Sequence, residues 1–179
     1  MKETLSSIAN RTGCSVTTVS RVLSAKAEQH RISPDTIEKV LKDAREHNYS
    51  PSLIAQSLRT NRTNTIGILL PSLSNPYFAE MASVIISEVH RRNYTGIIID
   101  TMEDEKKFNE SASILLSRRV DGIIAVPCGT DDSLIESINR NYLPIVLIDR
   151  YYDNSKLSFV TTNNHKGGLM ATRHLIDMG

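Results

Sequence analysis

From residue 65 onward, short runs of β-branched and aliphatic residues alternate with amphipathic helical stretches. This alternation restricts the fold more than any other feature of the chain. The apolar runs fall at residues 66–70, 96–100, 122–126, 145–149 and, more weakly, 159–161. Helical patterns fill the gaps at 77–92, 105–118, 133–140 and 166–178. Strands that are apolar at nearly every position must be covered on both faces, and each intervening helix is long enough for a parallel crossover. The spacing therefore predicts an α/β doubly wound parallel sheet, whose ligand sites belong at the carboxyl ends of the strands.

The first 48 residues follow a different rule and read as helices only. Leu5, Ile8 and Ala9 share one helical face, and Gly13 stops the pattern. Ser15 is a good N-cap for a second stripe of Val16, Val19, Val22 and Leu23. Residues 24–31 are polar and aperiodic, as in a loop. Ser33-Pro34 then starts a third helix with Ile37, Val40, Leu41 and Ala44 on its apolar face, and Asn48 is a plausible stop. Ser50-Pro51 breaks the pattern again. Residues 52–59 have helical apolar spacing but too little length to hold a helix alone. The boundaries read are an all-α headpiece over 1–50, a hinge and linker over 51–64, and an α/β unit over 65–179.

Two short helices joined at a glycine turn are the parts of a helix-turn-helix, whose second helix enters the major groove. With Val19 and Val22 packed inward, Val16, Thr17, Ser20 and Arg21 face outward. Arg21 can pair with both acceptors of a guanine, Thr17 can bond a base edge, and Val16 can meet a thymine methyl. Ser15 at the helix start suits a phosphate. A plain three-helix bundle with solvated polar residues has the same spacing. Charge leans towards DNA: residues 1–62 hold ten Lys and Arg against six Asp and Glu, whereas the remainder holds eleven against fourteen.

Other classes are poorly served. The chain contains no apolar run long enough for a membrane span and no leader-like start, which places it in the cytoplasm, nucleoid-associated when bound to DNA. Cys14 and Cys128 are too few and too scattered for a disulfide framework or a zinc site, and no metal or cofactor is expected. No Gly-x-Ser-x-Gly, Walker loop or His-Glu-x-x-His motif offers a catalytic centre. An α/β enzyme lacks a nucleophile–base pair. The rival from another class is a ligand-binding module whose N-terminal helices form a protein-interaction arm.

The segments 4–9 and 13–23, with Ile32-Ser33-Pro34-Asp35-Thr36 and Asn48-Tyr49-Ser50-Pro51-Ser52, closely resemble the headpiece of the lactose/galactose repressor family. Ala55-Gln56-Ser57-Leu58-Arg59 resembles the family's hinge. Downstream, Asn75-Pro76-Tyr77-Phe78, Arg119-Val120-Asp121-Gly122 and residues 144–150 fit in the same order. The resemblance implies a homodimeric regulator, a repressor, that binds a pseudo-palindromic double-stranded DNA operator and answers to a small effector, a sugar or sugar phosphate. It implies DNA contacts from Leu5, Ser15, Val16, Thr17, Thr18, Ser20, Arg21, Ser33, Thr36 and Tyr49. It adds hinge contacts from Ser52, Ala55, Gln56 and Leu58, with Leu58 as a minor-groove wedge and Ala55 at the contact between paired hinge helices. A linker leucine packed on the core is the other reading of Leu58. Loop 24–31 looks a few residues longer than in many relatives.

The family's core is periplasmic-binding-protein-like, with an effector in a cleft between two subdomains. That points to Asn75, Tyr77, Phe78, Arg150 and Asn163 as effector contacts, an amide and aromatics for a pyranose and a guanidinium for hydroxyls or phosphate. Three have a plainer alternative: a helix cap at Asn75, core packing at Phe78, a structural ion pair at Arg150. Thr162-Asn163 stands where many relatives carry Asp-Asn, so one carboxylate is lost. Gly167-Gly168 suits a packing need better than a phosphate cradle. Relatives are about twice as long, so the chain reads as truncated, ending where a second subdomain begins.

Overall fold

The computed structural model describes residues 3–50, 57, 60–140, 143–153 and 155–179. The hinge positions Ser52, Ala55, Gln56 and Leu58 lie outside these. The chain forms two compact units, Met1–Leu53 and Ile54–Gly179, each with its own core.

The first unit holds helices α1 (Leu5–Thr12), α2 (Val16–Leu23) and α3 (Pro34–Glu46). Each begins on a side-chain cap. Thr4 and Ser7 form a reciprocal capping box, Ser15 accepts from Thr18 N, and Ser33 accepts from Thr36 N, with Pro34 in the first turn. Gly13 closes α1 in the left-handed conformation at φ 67°, the position where a side chain is least tolerated. Cys14 N also bonds back to Ala9 O at 3.1 Å, so the chain turns at once into α2. Ile8, Val19 and Val40 are fully buried, one from each helix, with Ala9, Val22, Ala27 and Ala44 around them. Leu41, expected on the apolar face, is exposed; four apolar residues on α3 span more than the stripe that two short helices can cover. Loop 24–31 is less irregular than its sequence suggests: Glu28–His30 form one turn of 3-10 helix, and Ile32 N and His30 N both bond to Ala27 O.

The second unit is a five-stranded parallel sheet. Its strands are β1 (Thr65–Leu70), β2 (Thr95–Asp100), β3 (Gly122–Ala125), β4 (Ile145–Ile148) and β5 (Ser158–Val160), in the order β2-β1-β3-β4-β5. Helices α4 (Pro76–Arg91), α5 (Glu105–Ser117) and α6 (Ser133–Arg140) follow β1, β2 and β3, and α7 (Asn164–Met178) follows β5. Alternation along β1 divides the core. Ile68 and Leu70 pack with Phe78 and Ala82 of α4, whereas Leu69 packs with Phe108, Ala112 and Leu115 of α5 and Ile135 and Ile138 of α6. Helices thus cover both faces, as a parallel sheet requires. Gly67 faces α5 so closely that a Cβ there would collide with the Leu115 side chain.

Strand order reverses between β1 and β3, which places the crevice of a doubly wound sheet at their carboxyl ends. The far edge differs from the rest. None of α7 is buried. A Cβ at Gly167 or Gly168 would meet no atom within 4 Å, so neither glycine answers to a packing need among the described residues.

Candidate functional site

The outward face of α2 is set by what its inward face buries. Val19 and Val22 are locked in the headpiece core, and that rotation leaves Val16 45% exposed with Thr17 and Arg21 beside it, while Ser20 is half-buried. The Ser15 Oγ caps Thr18 N at 3.0 Å and lies 2.9 Å from Thr18 Oγ1. Ser33 and Thr36 repeat this arrangement at the start of α3, with hydroxyls 2.8 Å apart. Two helix N-termini therefore expose polar groups suited to phosphates, and one exposes groups suited to base edges. Leu5 and Tyr49 sit lower, half-buried against the core, and burial raises the Tyr49 phenol above its ordinary pKa.

One basic residue of the headpiece is committed elsewhere. Arg11 bridges Glu3 at 2.9 Å and Asp43 at 2.8 Å, tying the chain start and α1 to α3. The guanidinium holds both carboxyls below their usual range, chiefly by hydrogen bonding. Sequence reasoning counts Arg11 in the basic surplus. The pairing across 32 positions carries no local signal.

In the α/β unit, the carboxyl ends of β1, β2 and β4 converge. Asn75 caps α4 by accepting from Tyr77 N at 3.0 Å, which commits its side-chain oxygen. Phe78 is buried in the core, yet its ring lies 5.8 Å from the Arg150 guanidinium and stands edge-on to Tyr77. Tyr77 is 53% exposed and donates its hydroxyl to Asp149 Oδ1 at 2.8 Å, which raises the phenol pKa. Arg150 is clamped by both oxygens of Glu103, at 2.8 and 3.1 Å. Asn163 caps α7 by accepting from Lys166 N at 2.9 Å and lines a cavity of about 560 Å³ with Asp149, Arg150, Thr162 and His165.

The backbone aims these groups. Arg150 N bonds to Ile148 O at 2.7 Å across Asp149, whose φ is 66°, forming the rarer and more strained γ-turn. This turn sends adjacent side chains to different partners, Asp149 to Tyr77 and Arg150 to Glu103. Beyond β2, the Asp100 carboxylate accepts Leu73 N and Met102 N, each at 2.9 Å, and Glu103 N bonds to Pro71 O at 2.8 Å. Those bonds fix the turn that presents Glu103. The structure thus brings Tyr77, Phe78 and Arg150 together, places Asn75 and Asn163 at helix caps, and adds Glu103 and Asp149, which sequence reasoning does not assign to the effector.

The first unit presents a capped helix with an exposed polar face, and the second a parallel sheet with a polar rim. Residues 4–52 match the family described as bacterial regulatory proteins, lacI family, and residues 63–179 match periplasmic binding proteins and sugar binding domain of LacI family. The chain belongs to the LacI family. It is 35% identical to the HTH-type transcriptional repressor PurR of Pasteurella multocida, over 98% of this chain and 52% of that protein. It is also 35% identical to the sucrose operon repressor of Pediococcus pentosaceus, over 100% of this chain and 53% of that one. The fold matches the lac repressor dimer bound to operator and an anti-inducer, with a TM-score of 0.83, 24% identity, and coverage of 100% of this chain and 54% of that chain. The chain therefore spans about half the length of the curated relatives it matches.

Proposed function

We propose that the protein is a transcriptional repressor that binds a pseudo-palindromic operator as a homodimer, with α2 in the major groove, and that a small sugar-like effector modulates its affinity. The observation that carries this reading is the α2 face itself. Val16, Thr17 and Arg21 are exposed on a helix whose orientation is fixed by buried Val19 and Val22 and by the Ser15 cap. An arginine placed there reads guanine, and a threonine and valine read neighbouring edges. Ser15, Thr18, Ser33 and Thr36 position the headpiece on phosphates. The boundaries 1–50, 51–64 and 65–179 separate reader, hinge and sensor, and Ser52, Ala55, Gln56 and Leu58 supply the minor-groove contacts. The names of the relatives support repression as the direction of control, and a regulator of this kind works in the cytoplasm, on the nucleoid. No helix among the described residues is long and apolar enough to cross a membrane.

Selection of bound sequences from a random duplex pool by the intact protein tests the reading. The expected result is a two-fold symmetric consensus. Arg21→Ala should lose about 1–3 kcal/mol at one base pair per half-site and relax the preference there. A pool that stays unselected would refute sequence-specific DNA binding. A uniform loss across all sequences would make Arg21 a phosphate contact.

A further inference from the structure

The clamp on Arg150 decides what the sensor rim can hold. A guanidinium at the end of a sheet strand is a natural phosphate receptor, because its fork matches two phosphate oxygens. Here both arms of that fork are occupied by Glu103 at 2.8 and 3.1 Å. Asp149 immediately precedes Arg150 in the chain and adds a second carboxylate, held by Tyr77. One cation thus stands with two anions, a net charge of minus one where a phosphate would have to sit. The pair is only partly screened: side-chain exposure is 44% for Arg150 and 49% for Glu103. The Phe78 ring beneath the guanidinium is a low-dielectric floor that water cannot enter. A phosphate could reach Arg150 only by displacing a bidentate carboxylate, and the displaced carboxylate would remain beside it. An uncharged sugar meets no such repulsion. Its hydroxyls can donate to the carboxylate oxygens of Glu103 and Asp149 and to the Tyr77 hydroxyl oxygen, whose own proton goes to Asp149, and its apolar face suits the exposed Tyr77 ring.

We propose that Glu103 determines the ligand class of this site: paired with Arg150, it admits a neutral polyhydroxylated sugar and rejects the corresponding phosphate ester. The proposal rests on the reading of the strand-end rim as an effector site and narrows it. Glu103 acts through Arg150 as well as on the ligand, so removing its charge should change the preferred class of ligand rather than weaken all ligands alike.

The test uses the intact protein, with the Arg150 guanidinium resonances followed by NMR during titration with sucrose, D-glucose, glucose 6-phosphate and inorganic phosphate. Wild type should respond to a neutral sugar and remain unchanged by either phosphate. Glu103→Gln should bind inorganic phosphate and glucose 6-phosphate at least about tenfold more tightly than wild type, the gain expected from freeing a charge-assisted donor pair. The double variant Glu103→Gln, Arg150→Gln should lose that gain, and amide protection of β1 to β4 verifies that both variants are folded. Wild type that binds glucose 6-phosphate in preference to glucose overturns the proposal and leaves the effector reading standing. Equal phosphate affinity in the single and double variants also overturns it, because the gain would not come from Arg150. Silence of the Arg150 resonances towards every probe in wild type overturns both the proposal and the effector reading.

Discussion

Val19→Ala isolates the headpiece core from its reading face. Val19 is fully buried between Ile8 and Val40, so the substitution removes two methyl groups from a site with no solvent on any side. Transfer alone costs about 1.6 kcal/mol, at about 0.8 kcal/mol for each carbon removed. The unfilled space raises the total to about 2–3 kcal/mol, because three short helices around a few aliphatic residues cannot close the gap completely. A unit of this size is held by roughly 3–5 kcal/mol, so most of its stability would go. Native-state amide exchange on the intact chain reads this directly. At tenfold per 1.4 kcal/mol, the slowest amides of α1 to α3 should exchange about 30- to 150-fold faster. The amides of β1 to β4 should not change, since the two units hold separate cores. Acceleration below about threefold in the headpiece would mean that the three-helix core is not what stabilises it, and equal acceleration in the sheet would mean that the units do not unfold independently.

Ser15→Ala removes the hydroxyl that caps Thr18 N and should cost the headpiece about 1 kcal/mol by urea denaturation, with the sheet unaffected. Acid should unfold the headpiece through Glu3 and Asp43. Their folded pKa values lie below the ordinary 4.5 and 3.8, so the stability they supply is complete above about pH 4.5 and is lost as pH falls through the lowered values. Asp43→Asn should make the headpiece less stable at pH 7 and flatten its acid dependence, as followed by helical circular dichroism; an unchanged acid midpoint would refute the Arg11 network as its cause.

Most of the architecture was legible because it rests on local rules. Gly13, Ser15 and Ser33-Pro34 mark helix ends through chemistry confined to three or four residues, and the apolar runs at β1 to β4 stand out because a parallel strand buries both faces. Residues 159–161, the weakest run, became Ser158–Val160, an exposed edge whose sequence carries little burial signal. The outward residues of α2 could likewise be read from the inward ones. The rim of the sheet was legible only in part. Tyr77, Phe78 and Arg150 were marked by their positions after strands. Their partners were not: Tyr77 meets Asp149 across 72 positions and Arg150 meets Glu103 across 47, joined by strand order and two left-handed turns that no periodicity encodes. The cap at Asn75, the plainer of its two readings, and the cap at Asn163, which had no such reading, both follow from places just before helices.

The turn that presents Glu103 has a consequence for how this protein can change. Several positive-φ positions in the chain, Asn48, Asn61, Asn64 and Asn93 among them, are asparagines, which accept that conformation readily. Met102 and Glu103 do not, yet both sit at φ 55°, each at a cost of about 1–2 kcal/mol relative to ordinary backbone. Glycine at either position would relieve that cost, so heat selection in the laboratory should find these two sites early. At Glu103 the stabilised descendant would have surrendered its carboxylate, and at Met102 it would hold that carboxylate on a looser turn. Selection for endurance alone should therefore remove or loosen the carboxylate that clamps Arg150.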